Sequence, residues 1–115
     1  MTEIFISYSR RNKTFAKRFL KALNANGYSS DDVWVDWEDI PASSKWENEI
    51  KKGIEATNSV IFLISPEWAA SKECLKELRF ALEYNKRLFP VVCKKVNPSD
   101  VPAELASLNW IFFRQ

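Results

Sequence analysis

Three apolar runs, at residues 4–6, 33–35 and 60–64, each break off into a polar cluster. The first runs into Ser7-Tyr8-Ser9-Arg10-Arg11-Asn12, the second into Asp36-Trp37-Glu38-Asp39-Ile40-Pro41, and the third into Ser65-Pro66-Glu67-Trp68. Sequence of helical period follows each cluster, so the order strand, loop, helix repeats along the chain. Right-handed crossovers between parallel strands gather their C-terminal loops at one edge of an open α/β sheet, where such sheets bind ligands. Candidate chemistry is expected at that edge.

The same pattern predicts the individual elements. A helix covers about residues 12–26, with Phe15, Ala16, Phe19, Ala22 and Leu23 on one stripe and Lys13, Lys17, Arg18 and Lys21 opposite. Asn26-Gly27 supplies its stop, because glycine takes the left-handed conformation cheaply. The basic face reads either as a solvated surface or as a docking surface. A second strand at residues 33–36 leads into a loop from Trp37 to about Ser44, long for so small a domain and hence a candidate functional loop. Ser44-Lys45-Trp46-Glu47 fits the capping box, after which Trp46, Ile50 and Ile54 recur at helical spacing. Residues 60–64 are continuously apolar, as in a central strand covered on both faces.

Beyond Ser65-Pro66-Glu67-Trp68, read as a loop, a helix is predicted over about residues 71–85 and a fourth strand over about 88–93. Pro90 lacks an N–H, so that strand is expected to be irregular or to pair only after the proline. A loop at residues 97–102, a short helix at 103–108 and a last strand at 110–113 follow. With little sequence after that strand, the pattern expects an exposed apolar patch or cover from outside the chain, as in a module of a larger protein or a self-associating one.

At 115 residues and 46% hydrophobic content, the chain has the size and apolar share of one packed domain. A net charge of +2 offers no argument for nucleic acid or an anionic membrane as partner. No apolar stretch reaches bilayer length, and the N-terminus lacks a signal peptide's basic start and apolar core. Cys74 and Cys93 show neither metal-ligand spacing nor a disulfide framework, so a reducing, cytoplasmic setting is expected. The chain contains no histidine, which excludes Ser-His and Cys-His catalysis and His-ligated zinc.

In the helix at residues 71–85 the apolar stripe is Cys74, Leu75, Leu78, Ala81 and Leu82. Glu77 falls about 100° from its centre, on a flank shared with Glu73, Phe80 and Tyr84, the last two expected to be partly exposed. Two readings stay open: a solvated helix glutamate, or a carboxylate at the core's edge facing a cleft.

Several motifs together resemble a TIR (Toll/interleukin-1 receptor) domain of bacterial type. They are Ile4-Phe5-Ile6-Ser7-Tyr8-Ser9, Asp36-Trp37-Glu38-Asp39-Ile40-Pro41 with Trp46 following, Phe62-Leu63-Ile64-Ser65-Pro66, and Cys74-Leu75-Lys76-Glu77-Leu78. They occur in the family's order and spacing over nearly the whole chain. The resemblance implies an α/β, flavodoxin-like TIR fold over residues 1–115, with a five-stranded parallel sheet in the order 2-1-3-4-5 and helices on both faces. By the same resemblance, the family's final helix is expected to be missing from residues 1–115. The switch point then lies between strands one and three, and the loops at residues 7–11 and 65–68 flank the crevice. The segment from Trp37 to Ser44 resembles the family's BB loop, a self-association element, which makes Trp37, Asp39, Ile40 and Pro41 contact residues.

Many TIR domains similar to this one cleave NAD+, releasing nicotinamide and leaving ADP-ribose or a cyclised form, often on self-assembly in immune signalling. Glu77 matches their catalytic glutamate. A lone carboxylate suits this bond, because the pyridinium departs as neutral nicotinamide and needs no general acid, unlike an ordinary glycoside. The resemblance further implies Ser7, Tyr8, Ser9, Arg10 and Arg11 as the substrate-lining loop, with the arginines on the diphosphate. Asp36 would orient the loop or contact ribose, and Trp46 would stack on a substrate ring, its other reading being a core anchor beside Ile50. The implied partners are NAD+, as substrate, and other TIR domains. No metal or further cofactor is required. One departure is Glu73, where NADases of the family often carry tryptophan. A non-catalytic TIR–TIR scaffold is the alternative, whereas a flavodoxin-like phosphoacceptor fits poorly: Asp36 has no receiver-type acidic cluster and no glycine-rich loop follows a strand.

Overall fold

The computed structural model describes residues 3–35 and 44–112, without the side chains of Ser30, Ser44, Lys45 and Trp46. Five strands form one sheet: β1 (Ile4–Ser7), β2 (Val33–Trp34), β3 (Ser59–Ile64), β4 (Arg87–Val92) and β5 (Ile111–Phe112). Their order is β2-β1-β3-β4-β5 and every neighbouring pair is parallel. The helices are α1 (Lys13–Ala25), α2 (Ser44–Glu55), α3 (Pro66–Ala69), α4 (Lys72–Glu83) and α5 (Ala103–Ala106).

Strand alternation divides the core between two layers. Val60, Phe62 and Ile64 of β3 pack with Ile50 and Ile54 of α2 and Leu78 and Ala81 of α4. Ile61 and Leu63 point the other way, toward Ala16 and Phe19 of α1. β1 splits likewise, with Phe5 in the first layer and Ile4 and Ile6 in the second. Burial on both faces is what an unbroken apolar run in a parallel strand requires. α2 sits close against the sheet because position 53 is glycine: a Cβ there would lie 2.9 Å from the Trp34 ring, which stacks on Phe5 at 4.6 Å.

The helix ends follow local chemistry. Gly27, at φ 101, ends α1 where the sequence placed a stop. Ser71 caps α4, its hydroxyl accepting the Cys74 N–H at 3.2 Å.

Three expectations need correction. β4 pairs with β3 along its full length, from Ser59↔Arg87 to Ile64↔Val92, straight through Pro90. On the other side β5 joins only at Val91, so the donor that proline lacks interrupts no ladder there. The segment Ser65-Pro66-Glu67-Trp68 is the start of α3 and not a loop: Ser65 accepts the Trp68 N–H and proline occupies the first turn, where no N–H is needed. Finally, α4 is rotated from its expected stripe. Glu77 and Phe80 are buried with Cys74, Leu78 and Ala81, whereas Leu82 is exposed. The helix packs against α2, α3 and β1 together, which turns the Glu77 flank inward. Phe80 therefore belongs to the core and does not join Tyr84 in an exposed stripe.

Among the described residues α1 is the one helix on its face of the sheet. Phe89, which shares that face with Val91, stays 39% exposed, as does Ile111 at 50%. This is the apolar patch that the sequence pattern expects beside the last strand. No helix among the described residues is long and apolar enough to cross a membrane.

Candidate active site

β1 and β3 are neighbours whose following connections leave in opposite directions, so a crevice opens beyond their C-terminal ends. A cleft of about 390 Å³ lies there, lined by Tyr8, Ser9, Arg10 and Arg11 from the turn after β1 and by Glu67, Glu73 and Glu77 from α3 and α4. That volume falls in the range of small-molecule sites, about 300–1,000 Å³.

Glu77 is 7% exposed, which settles the sequence alternative in favour of the cleft. A carboxylate buried without partners would cost several kcal/mol (about 3–5), so its surroundings matter. Ser7, at the last position of β1, donates its hydroxyl to Glu77 Oε1 at 2.6 Å. Ser7 is itself fully buried and accepts the indole N–H of Trp68 at 3.1 Å. Cys74 lies one turn before Glu77, and burial followed by the Glu77 carboxylate pushes its thiol far above the ordinary range. That thiol is no nucleophile near neutral pH.

A second chain of bonds starts from the same tryptophan. The Trp68 backbone N–H donates to Ser65 Oγ at 2.9 Å, and Ser65 Oγ donates to Asn12 Oδ1 at 2.6 Å. The Asn12 amide in turn donates to Glu67 Oε1 at 3.0 Å. This bond, with Lys94 at 3.5 Å, holds the Glu67 carboxyl below the usual carboxylate range. Among the described residues no buried side-chain polar atom lacks a partner.

The sequence-predicted residues thus divide into three groups. Tyr8, Ser9, Arg10, Arg11 and Glu77 converge on the cleft. Ser7 stands behind it, in contact with Glu77 and not with the opening. Asp36, Trp37, Asp39, Ile40 and Pro41 lie outside the described residues, as does the side chain of Trp46. Sequence reasoning set residues 65–68 beside the crevice without finding the bonds that Ser65, Glu67 and Trp68 make there, and it missed Asn12. A signal for the local part was present: serine followed by proline directly after a buried strand marks a capped helix start, with Ser65 accepting the Trp68 N–H.

A profile of the TIR domain matches residues 4–115. This chain belongs to the TIR-domain family. Solved TIR structures agree with its fold. The TIR domain of the Toll-related receptor TRR-2 from Hydra magnipapillata superposes with a TM-score of 0.80 at 18% identity, covering 98% of this chain and 85% of that one. The TIR-STING receptor of C. gigas, solved with 2',3'-cGAMP, gives 0.73 at 23% identity over 95% of this chain and 34% of the receptor. The TIR domains of the activated Roq1 resistosome give 0.63 at 23%, over 86% and 61%. At these identities the likeness is one of fold. No curated protein sequence matches the chain. Within the TIR fold, the Ser7–Glu77 pair occupies the crevice side of the switch point between β1 and β3.

Proposed function

We propose that this TIR domain cleaves the nicotinamide–ribose bond of NAD+, releasing nicotinamide and leaving ADP-ribose or a cyclic ADP-ribose. The observation that carries the reading is the buried Glu77 carboxylate, held at 2.6 Å by Ser7 in a cleft that Arg10 and Arg11 also line. The substrate's charge pattern suits this lining: Glu67, Glu73 and Glu77 would receive its cationic pyridinium and the arginines its diphosphate. As the bond breaks, positive charge spreads onto the ribose, and a fixed carboxylate beside it stabilises that charge more than it stabilises the ground state. Nicotinamide leaves neutral, so no proton donor is needed. The chain's lack of histidine is compatible with this chemistry.

Assembly with other TIR domains, and a role in bacterial immune signalling within the cytoplasm, complete the reading. The fold likeness to resistosome TIR domains supports assembly. The test is nicotinamide release from NAD+, followed by chromatography under conditions that promote filaments. Wild type should turn over and Glu77→Gln should not; equal turnover by both would overturn the role of Glu77. A second reading, a non-catalytic TIR–TIR scaffold, draws on the exposed Ile111 and Phe112 at the sheet edge. It predicts concentration-dependent association with no nicotinamide release in any assembled state.

A further inference from the structure

Both bond chains begin at Trp68, and their direction is fixed by chemistry. An indole N–H can only donate, so Ser7 Oγ must accept from it at 3.1 Å. Ser7 has a single proton, and with its oxygen engaged by the indole that proton points to Glu77 Oε1 at 2.6 Å. Glu77 Oε1 is thereby an acceptor on this side. The tryptophan is itself clamped: fully buried, edge-on to Phe62 with ring centroids 5.7 Å apart, and tied through its backbone N–H to Ser65. Ser7 and Ser65 stand at the C-terminal ends of adjacent strands, so the two ends that define the switch point are both bonded to one residue.

We infer that Trp68 is a positioning residue: its indole N–H orients the Ser7 hydroxyl, which in turn holds the Glu77 carboxylate as an acceptor aimed at the cleft. The inference rests on the proposed NAD+ cleavage for its kinetic consequence only; the bond relay itself is readable without turnover. The charged and titratable groups around Glu77 are Cys74 and Glu73 on its own helix, Glu67 on α3, and Tyr8, Arg10 and Arg11 on the turn after β1. Ser7 donates to Glu77 Oε1 from the strand end beneath them. Bonds in such a chain reinforce one another, since donation to Glu77 polarises Ser7 and makes its oxygen a better acceptor for the indole.

The experiment has two arms. In the first, nicotinamide release is measured for Ser7→Ala, Trp68→Phe and the double variant. Loss of one bond to a charged group corresponds to about a ten-fold fall in kcat for Ser7→Ala, with a smaller fall, about three-fold, for Trp68→Phe and KM nearly unchanged in both. Because Trp68 acts through Ser7, the double variant should match Ser7→Ala alone; effects that multiply, or that fall on KM, overturn the relay. In the second arm, the Trp68 indole N–H resonance, assigned by its loss in Trp68→Phe, is followed in otherwise intact protein. Glu77→Gln should shift it and Ser7→Ala should both shift it and speed its exchange with solvent. An indole signal indifferent to Glu77→Gln overturns the relay even if the enzyme is active. Absent turnover in wild type defeats the NAD+ reading while the resonance still decides the relay.

Discussion

α2 and α4 cover the same face of the sheet, and each interrupts its buried side once, in opposite ways. α2 removes a side chain: Gly53 lets the helix backbone approach Trp34 and Phe5 closer than any Cβ allows. α4 adds a charge: Glu77 is buried among Cys74, Leu78, Phe80 and Ala81. The first departure serves packing, because rings and helix meet at van der Waals distance. The second works against stability, since a carboxylate leaves water for a site that Ser7 must make tolerable. Two neighbouring helices, joined at their surface by the Glu47–Lys76 ion pair, thus divide the labour between holding the fold and carrying the candidate chemistry.

Substitutions can break this division. The largest effect is expected for Glu77→Gln, which should lower nicotinamide release by about 100-fold or more, as for loss of a preorganised charge. Its melting temperature should stay close to wild type, because the neutral amide escapes the desolvation cost; a collapse of the fold would show Glu77 to be structural instead. Gly53→Ala comes next and should do the reverse. An alanine in place of a helix glycine ordinarily stabilises by about 1 kcal/mol, but the Trp34 ring makes this one destabilising by about 1–3 kcal/mol in urea unfolding. Turnover per folded molecule should be retained. Ser71→Ala removes the cap that starts α4 and should cost about 1 kcal/mol; a markedly larger loss of turnover than of stability would tie the cap to the seating of Glu77.

The smallest effect concerns pH. The Asn12 bond, aided by Lys94, depresses the Glu67 carboxyl in the folded state. Its stabilising contribution is therefore present above the ordinary glutamate range and is lost as pH falls through the depressed value. Wild type should be slightly more stable than Glu67→Gln at neutral pH, and the gap should close on acidification. A gap that widens in acid would contradict the bond.

Much of the fold was legible because it rests on period. The unbroken run at residues 60–64 required two covered faces, and the structure supplies both layers. The stop at Asn26-Gly27 and the helices before and after the third strand follow from local preference. Pro90 misled because a missing donor matters only where a partner strand waits for it, and pairing is a long-range fact. The rotation of α4 misled for a related reason. Hydrophobic content alone favoured Leu75 and Leu82, but three neighbouring elements decide which flank is enclosed.

The candidate site divides along the same line. Residues of the turn after β1 and Glu77 could be named from the chain, since polar clusters after parallel strands must meet at one edge. The Ser7–Glu77, Trp68–Ser7 and Asn12–Ser65 bonds could not, because their separations of 70, 61 and 53 positions are closed only by the packed sheet. By itself, then, the sequence determined the order of strands and helices, the edge where polar loops gather and the family to which they conform. These are properties of spacing and side-chain type. The tertiary structure alone decided that Glu77 is buried, what holds it and which way its hydrogen bond runs, for a bond's direction depends on the donors that distant segments bring within 3 Å or so of one another.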